Sequence, residues 1–393
     1  MSKEEGSVLI RNGRIVTEDG IIENGSLLLE DGRIAWMGDA DAEGAPTSFE
    51  GETVDAQGSY LLPGFIDIHV HGGGGSDFMD ATPEALDAIT GFHAKQGTTA
   101  MLSTPLTNSY ENLTAAVRNT AEYMASEMPY AQILGVHLEG PFFNVKWKGA
   151  QNPKYIVPPS TEWLEEWNNA YPGVLKIVTL APEIEGATQV IEWLTAQGIV
   201  ASAGHTDASY DVVSEATRHG LCHAVHTYNA MTPLHHRNPG TVGAVMTHDA
   251  ITAEIIADGI HVHPAAVKVL VKTKGTDRVI LITDAMSAAG LGDGSYSLGG
   301  LSVTVRNGQA RLTEGDSLAG SILTMIEGFR FLVNQVGVSV QEASRMASGN
   351  PARRVGAADR IGSLAVGKQA DVLLVSPELE LQRSWIKGRP FAL

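Results

Sequence analysis

The order of apolar and polar positions divides the chain into two styles. Residues 7–62 alternate in short stretches, VLIRNGRIVTEDG, GSLLLEDGRIAWMG and TVDAQGSYLLPG, punctuated by Asn-Gly, Asp-Gly and Gln-Gly. Period-two alternation broken by such dipeptides predicts β-hairpins. The C-terminal ADVLLVSPELELQRSWIKGRP repeats the style. The two ends, 1–62 and 356–393, are therefore expected to join in one small β-sandwich domain.

The middle, 63–355, reads differently. Eight apolar runs occur there: GFIDIHVHG, GTTAMLSTP, QILGVHLEGP, LKIVTLAPE, GIVASAGHT, HAVHTYNA, AEIIADGIHV and RVILITDA. Between them lie segments with apolar residues at helical spacing, among them PEALDAITGFHAKQ, NLTAAVRNTAEYMASE and PAAVKVLVKTK. Strand then helix, repeated in this way, predicts an α/β fold of the (β/α)8 TIM-like barrel kind. Stretches 141–160 and 227–248 fit neither period and are expected to be long functional loops.

Composition narrows the function. With 393 residues, 43% hydrophobic and 18% charged, the chain is globular and can bury a large core. A net charge of −18 argues against nucleic acid or an anionic membrane as partner. A small anionic substrate would need a local cationic pocket. The lone Cys222 rules out an intrachain disulfide and a thiolate metal cluster. The polar start MSKEEGSVLI is unlike a signal peptide, and no run approaches the ~20 apolar residues of a membrane span. A cytoplasmic location is expected.

In a TIM barrel the chemistry sits at the C-terminal ends of the strands. Six of the eight runs deliver His, Asp or Glu there: His69 and His71, Glu139, His205, His226 followed by Asn229, Asp258 with His261, and Asp284. Side chains two apart on a strand share a face, so His69 and His71 both point into the barrel mouth. Nitrogen and oxygen donors fit Zn2+, Fe2+, Mn2+ or Co2+. Four histidines and two carboxylates exceed what one tetrahedral ion needs and could hold two, at roughly 3.5–4 Å from each other.

The spread of His-x-His, Glu, His, His and Asp over these runs resembles the amidohydrolase superfamily. HLEGPF at 137–142, KGAQNP at 148–153, AGHT at 203–206, HTYNAM at 226–231, RNPG at 237–240, ADGIHV at 257–262, TDA at 283–285, LAGS at 318–321 and GKQADVLLV at 367–375 narrow it. They resemble the N-acetylglucosamine-6-phosphate deacetylases within it, over essentially the whole chain. That resemblance implies one or two divalent metal ions, Zn2+ or Fe2+ first, on His69, His71, Glu139, His205, His226 and Asp284, with Glu139 bridging where both ions are bound. It implies Asp284 as proton shuttle and His261 as donor to the acetamide oxygen. Arg237 and the backbone at Asn229 and Ala230 would hold the phosphate, and Ala150, Leu318, Ala319 and Gly320 the sugar. The pocket would be completed by a second subunit in a homodimer, and the products would be acetate and the 6-phosphate of glucosamine.

Blander roles are assigned elsewhere. His137 shares the parity of Glu139 one layer deeper and is expected to pack or support a ligand. His223, of opposite parity to His226, is expected to face the helices. His93, His219 and His248 are expected at the surface, and Cys222 as a small buried hydrophobe. A D-aminoacylase, dihydropyrimidinase or isoaspartyl dipeptidase is the nearest alternative. The last two call for a lysine at the end of the fourth run, where LKIVTLAPE has its Lys176 near the start. A non-catalytic sugar-phosphate regulator would be expected to lack a ligand or Asp284, and none is missing.

Overall fold

The structure, a computed structural model, describes residues 6–46, 49–315 and 317–393. Residues 1–5 of the polar start lie outside the described residues. The eight apolar runs each contribute a strand to one parallel sheet, Phe65–Asp67, Thr98–Ser103, Gln132–Glu139, Leu175–Leu180, Val200–Ala203, His223–Ala224, Thr252–Ile256 and Val279–Ile282, adjacent in chain order. The two ends of this sheet meet at the mouth, where the Asp284 N–H donates to the His69 carbonyl at 2.9 Å and the His71 N–H to that of Ala285 at 2.8 Å. The result is a nearly closed TIM-type barrel.

Strand alternation sorts the core. Ile66, Ile177, Ile256, Ile280 and Ile282 pack in one apolar cluster. Their neighbours Phe65, Val178, Ile255, Val279 and Leu281 join a second cluster that includes helix residues such as Leu113, Val117 and Ile191. Glu254 has the parity of Ile256, and His137 and Glu139 the opposite parity to Val136 and Leu138, so all three project away from the helices.

The helices follow their local signals. Pro83–Ala94 is capped by the Thr82 side chain with Pro83 in its first turn, Tyr110–Met124 by Ser109 and Tyr210–Arg218 by Ser209. Pro264–Lys274 ends at Gly275 with φ +74°. No helix of the described residues is long and apolar enough to cross a membrane.

Strands from both chain ends build one β layer. Its continuous sheet contains Val8–Val16, Ile21–Glu30, Arg33–Asp39, Glu52–Asp55 and Tyr60–Pro63 with Val372–Val375, Leu381–Ile386 and Arg389–Phe391. Tyr60–Pro63 pairs antiparallel with Val372–Val375, which ties the two ends together.

Two elements depart from expectation. Gly240–Thr247, inside the stretch expected to be irregular, is a helix buried along nearly its whole length. A helix apolar all round shows no amphipathic period. After the eighth strand, Gly294–Leu298, Leu301–Arg306 and Gln309–Leu312 form an antiparallel meander. Its turns, Gly299-Gly300 and Asn307-Gly308, all take positive φ, the geometry that two-residue hairpins need. The meander packs Leu298, Val303, Val305 and Ala310 against Leu106, Met286 and Ala319 beside the barrel mouth.

Candidate active site

At the C-terminal end of the barrel the backbone turns abruptly. His205, His226 and Asp284 take φ of 49°, 25° and 52°, a left-handed conformation costly for residues with a Cβ. Each lies just past a strand, and the turn carries its side chain into a cavity of about 390 Å³, shared with His71, Glu139 and His261.

The four imidazoles are oriented from behind. Nδ1 of His71 donates to the Thr104 carbonyl at 2.8 Å, that of His205 to the Trp147 carbonyl at 2.9 Å, and that of His226 to the Asn229 carbonyl at 3.2 Å. Nδ1 of His69 lies 2.8 Å from Oε2 of Glu254. A carbonyl or carboxylate oxygen only accepts, so each Nδ1 carries the proton and each neutral ring turns an Nε2 lone pair inward.

Those lone pairs converge on two carboxylates. Oε1 of Glu139 is 3.0 Å from Nε2 of His226, 3.1 Å from that of His205 and 3.3 Å from that of His69. Oε2 of Glu139 is 3.4 Å from Nε2 of His71, which lies 2.9 Å from Oδ1 of Asp284. Nε2 of His205 and of His226 are 3.2 Å apart. Nε2 of His69 is buried without a hydrogen-bond partner. The donor atoms of His69, His71 and Asp284, and those of His69, Glu139 and His226, each lie within 4.8 Å of one another.

Burial and charge oppose each other here. Burial alone would push the carboxyl of Glu139 up, but His69, His205 and His226 outweigh it and hold it well below the carboxylate range. Asp284 is likewise lowered, by His71 and His69 against burial. His69 is raised well above its ordinary value because Glu254 and Glu139 overcome the desolvation of its ring, so that ring takes up a second proton at Nε2 unless a cation occupies that position.

Residues that line the cavity include Ala150, Asn229, Ala230, Leu318 and Gly320, whereas Ala319 is fully buried beneath it. His261 lines the cavity too, with its Nδ1 2.6 Å from Oδ2 of Asp258. Arg237 does not line it. That side chain is exposed, and its guanidinium meets Nε2 of His236 at 2.7 Å.

Of the other histidines, His137 lies as expected, whereas His223 and His93 do not. His137 is buried, bonded to the Ile68 carbonyl and to Thr179 Oγ1, both at 2.8 Å, and packs edge-on to His69. It supports a site residue, as its parity suggests. His223 does not face the helices: it is fully buried and bonds Oε1 of Glu254 at 2.9 Å. The sixth strand ends at Ala224, so counting parity through to His226 fails. His93 is not at the surface either. It is fully buried, with Nε2 3.0 Å from the Gly72 carbonyl, and burial lowers its pKa to about 4. Cys222 is half-buried and receives an Arg354 N–H at 3.3 Å.

Two residues close to this centre carry no sequence expectation. Glu254 is a charged residue at an inward position of an apolar run, which is the signal that could have revealed it. Gln151 donates to Oε2 of Glu139 at 2.6 Å and accepts the Thr107 N–H at 3.0 Å.

The chain is similar to known proteins along almost its whole length. The Amidohydrolase family model matches residues 60–390. The N-acetylglucosamine-6-phosphate deacetylase of Bacillus subtilis (strain 168) is 43% identical over 385 residues, 97% of this chain and 96% of that protein. The N-acetylgalactosamine-6-phosphate deacetylase of Escherichia coli O157:H7 is 39% identical, covering 97% of this chain and 98% of that protein. A Mycobacterium smegmatis N-acetyl-D-glucosamine-6-phosphate deacetylase variant, solved in complex with N-acetyl-D-glucosamine-6-phosphate, superposes with a TM-score of 0.92 at 32% identity, covering 98% of this chain and 99% of that one. The barrel, its convergent histidines and carboxylates, and near-full-length similarity lead to one assignment: the chain belongs to the amidohydrolase family and, within it, to the N-acetylglucosamine-6-phosphate deacetylases.

Proposed function

We propose that this protein hydrolyses the acetamide of N-acetyl-D-glucosamine 6-phosphate to D-glucosamine 6-phosphate and acetate. The observation that carries the reading is the convergence of the Nε2 atoms of His71, His205 and His226 and the carboxylates of Glu139 and Asp284 on one cavity, with Nε2 of His69 buried behind Glu139 and lacking any hydrogen bond. Such a donor set is self-repulsive unless a cation lies among the groups, so the residues present fit a divalent metal ion.

His205, His226 and Glu139 would hold one ion, and His69, His71 and Asp284 would complete a second site, with Zn2+ or Fe2+ the preferred occupant. A bound divalent ion supplies Lewis acidity, lowering the pKa of water toward ~7. Asp284, at the cavity wall, takes the proton of the attacking water and delivers it to the departing amine, as base and then acid. His261, its Nδ1–H held by Asp258, would donate through Nε2 to the acetamide oxygen when its ring is doubly protonated, as negative charge develops there. The backbone at Asn229 and Ala230 holds the phosphate, with Arg237 as its guanidinium partner. Ala150 and the Leu318–Gly320 segment contact the sugar.

A homodimer belongs to the same proposal. Arg237 stands on an exposed loop with His235, His236 and the half-exposed Leu234, where a second subunit would bring it into use. Cytoplasmic residence follows from the substrate, a phosphate ester that does not cross a bilayer unaided.

Acetate release from N-acetylglucosamine 6-phosphate, with and without a chelator, tests the reading. Chelator-sensitive release is expected. Absence of release, or release that a chelator leaves untouched, counts against it. The E. coli relative makes N-acetylgalactosamine 6-phosphate the informative second substrate.

A further inference from the structure

We infer that Lys146 reads the anionic end of the substrate within a single chain. This rests on the deacetylase reading above. A protein of net charge −18 repels a phosphate dianion unless a cation stands at the site. Among the described residues lining the cavity, Lys146 is the one lysine or arginine, whereas Arg237 lies outside.

Its position is built rather than incidental. Lys146 sits in a short helical turn, Val145–Trp147, opened by the Asn144 side chain. Its Nζ meets both oxygens of Asp207, at 2.8 and 2.9 Å, and Oδ1 of Asp207 also accepts the Trp147 indole N–H at 2.6 Å. Asp207 follows Thr206, whose N–H donates to the Ala230 carbonyl at 3.1 Å. These links set Lys146 on the Asn229–Ala230 side of the cavity.

The ion pair leaves the ammonium available. Its two side chains are 66% and 33% exposed, and exposed pairs contribute little, so exchanging one oxygen anion for another is inexpensive. Asp207 keeps the side chain at the mouth between turnovers, and a phosphate with two negative charges outcompetes a single carboxylate for it. Three donors on a flexible stem suit an anion that enters and leaves.

The test compares kcat/KM for N-acetylglucosamine 6-phosphate with that for unphosphorylated N-acetylglucosamine, on metal-loaded enzyme, in wild type, Lys146→Met and Lys146→Arg. The preference for the phosphorylated sugar is expected to fall about tenfold in Lys146→Met, mostly through KM, and to be largely restored in Lys146→Arg. A preference ratio unchanged in Lys146→Met would overturn the role of Lys146. So would equal losses on both sugars, which would mark it as structural. A wild type that deacetylates neither sugar would overturn the deacetylase reading along with it. Where the unphosphorylated sugar turns over too slowly to measure, the Kd of glucosamine 6-phosphate replaces the ratio. It is expected to rise about tenfold in Lys146→Met, and an unchanged Kd would overturn the proposal.

Discussion

His69 and Glu254, 185 positions apart in the chain, meet at 2.8 Å in the floor of the barrel. The same carboxylate engages His223 at 2.9 Å through its other oxygen. Glu254 is fully buried, yet the charge on His69 and the hydrogen bond from His223 outweigh burial and hold its pKa well below the carboxylate range. It fixes the tautomer of His69 and aims Nε2 at the cavity.

Replacing Glu254 with Gln should therefore weaken metal retention before it touches the chemistry. Partners that orient a ligand typically contribute about 10- to 100-fold in metal affinity. Metal content after dialysis against a graded chelator series measures it. Retention equal to wild type would show that His69 needs no such anchor.

Asp284→Asn tests the opposite separation. The amide keeps the shape and one donor oxygen but cannot carry the proton. Bound metal should largely remain, while kcat falls by roughly 10²–10⁴. Near-normal turnover would remove Asp284 from the proton path.

Gln151 supports Glu139 in a different way. Gln151→Ala would leave a buried carboxylate oxygen and the Thr107 N–H without partners. Each buried group left unsatisfied costs about 1–3 kcal/mol. A lower midpoint in chemical denaturation is expected, and an unchanged midpoint would mean that water replaces the amide fully.

His93 gives a pH dependence. Its folded pKa, about 4, lies below the ordinary value of 6.5. Between those values the unfolded chain binds a proton that the folded chain does not. The contribution is therefore present above pH 6.5 and is lost as pH falls toward 4, on the order of 3 kcal/mol in all. Denaturation of wild type and His93→Gln across this range isolates it, because Asp77 and Asp371, both raised to about 6 by burial, titrate in both proteins. A difference between the two proteins that does not change with pH would count against this assignment.

Much of this was legible in one dimension. Apolar runs and helical spacing are short-range properties, and all eight barrel strands fell where the runs stood. The two-residue period of a strand placed His69 beside His71, and apolar runs ending in His, Glu or Asp pointed to the cavity. The meander after the eighth strand also carries a local signal, since Gly299-Gly300 and Asn307-Gly308 mark its turns. The helix Gly240–Thr247 was not legible, because burial on every side erases the period.

Local sequence thus determined which residues could reach the barrel mouth, through backbone period and turn chemistry. The tertiary fold alone decided what stands behind them. Glu254 behind His69, Gln151 beside Glu139 and the Trp147 carbonyl behind His205 are contacts between distant segments, brought together only when the barrel closes. The misplacement of His223 has the same origin: its strand stops at Ala224, and where a strand stops is set by its neighbours in the sheet rather than by its own residues.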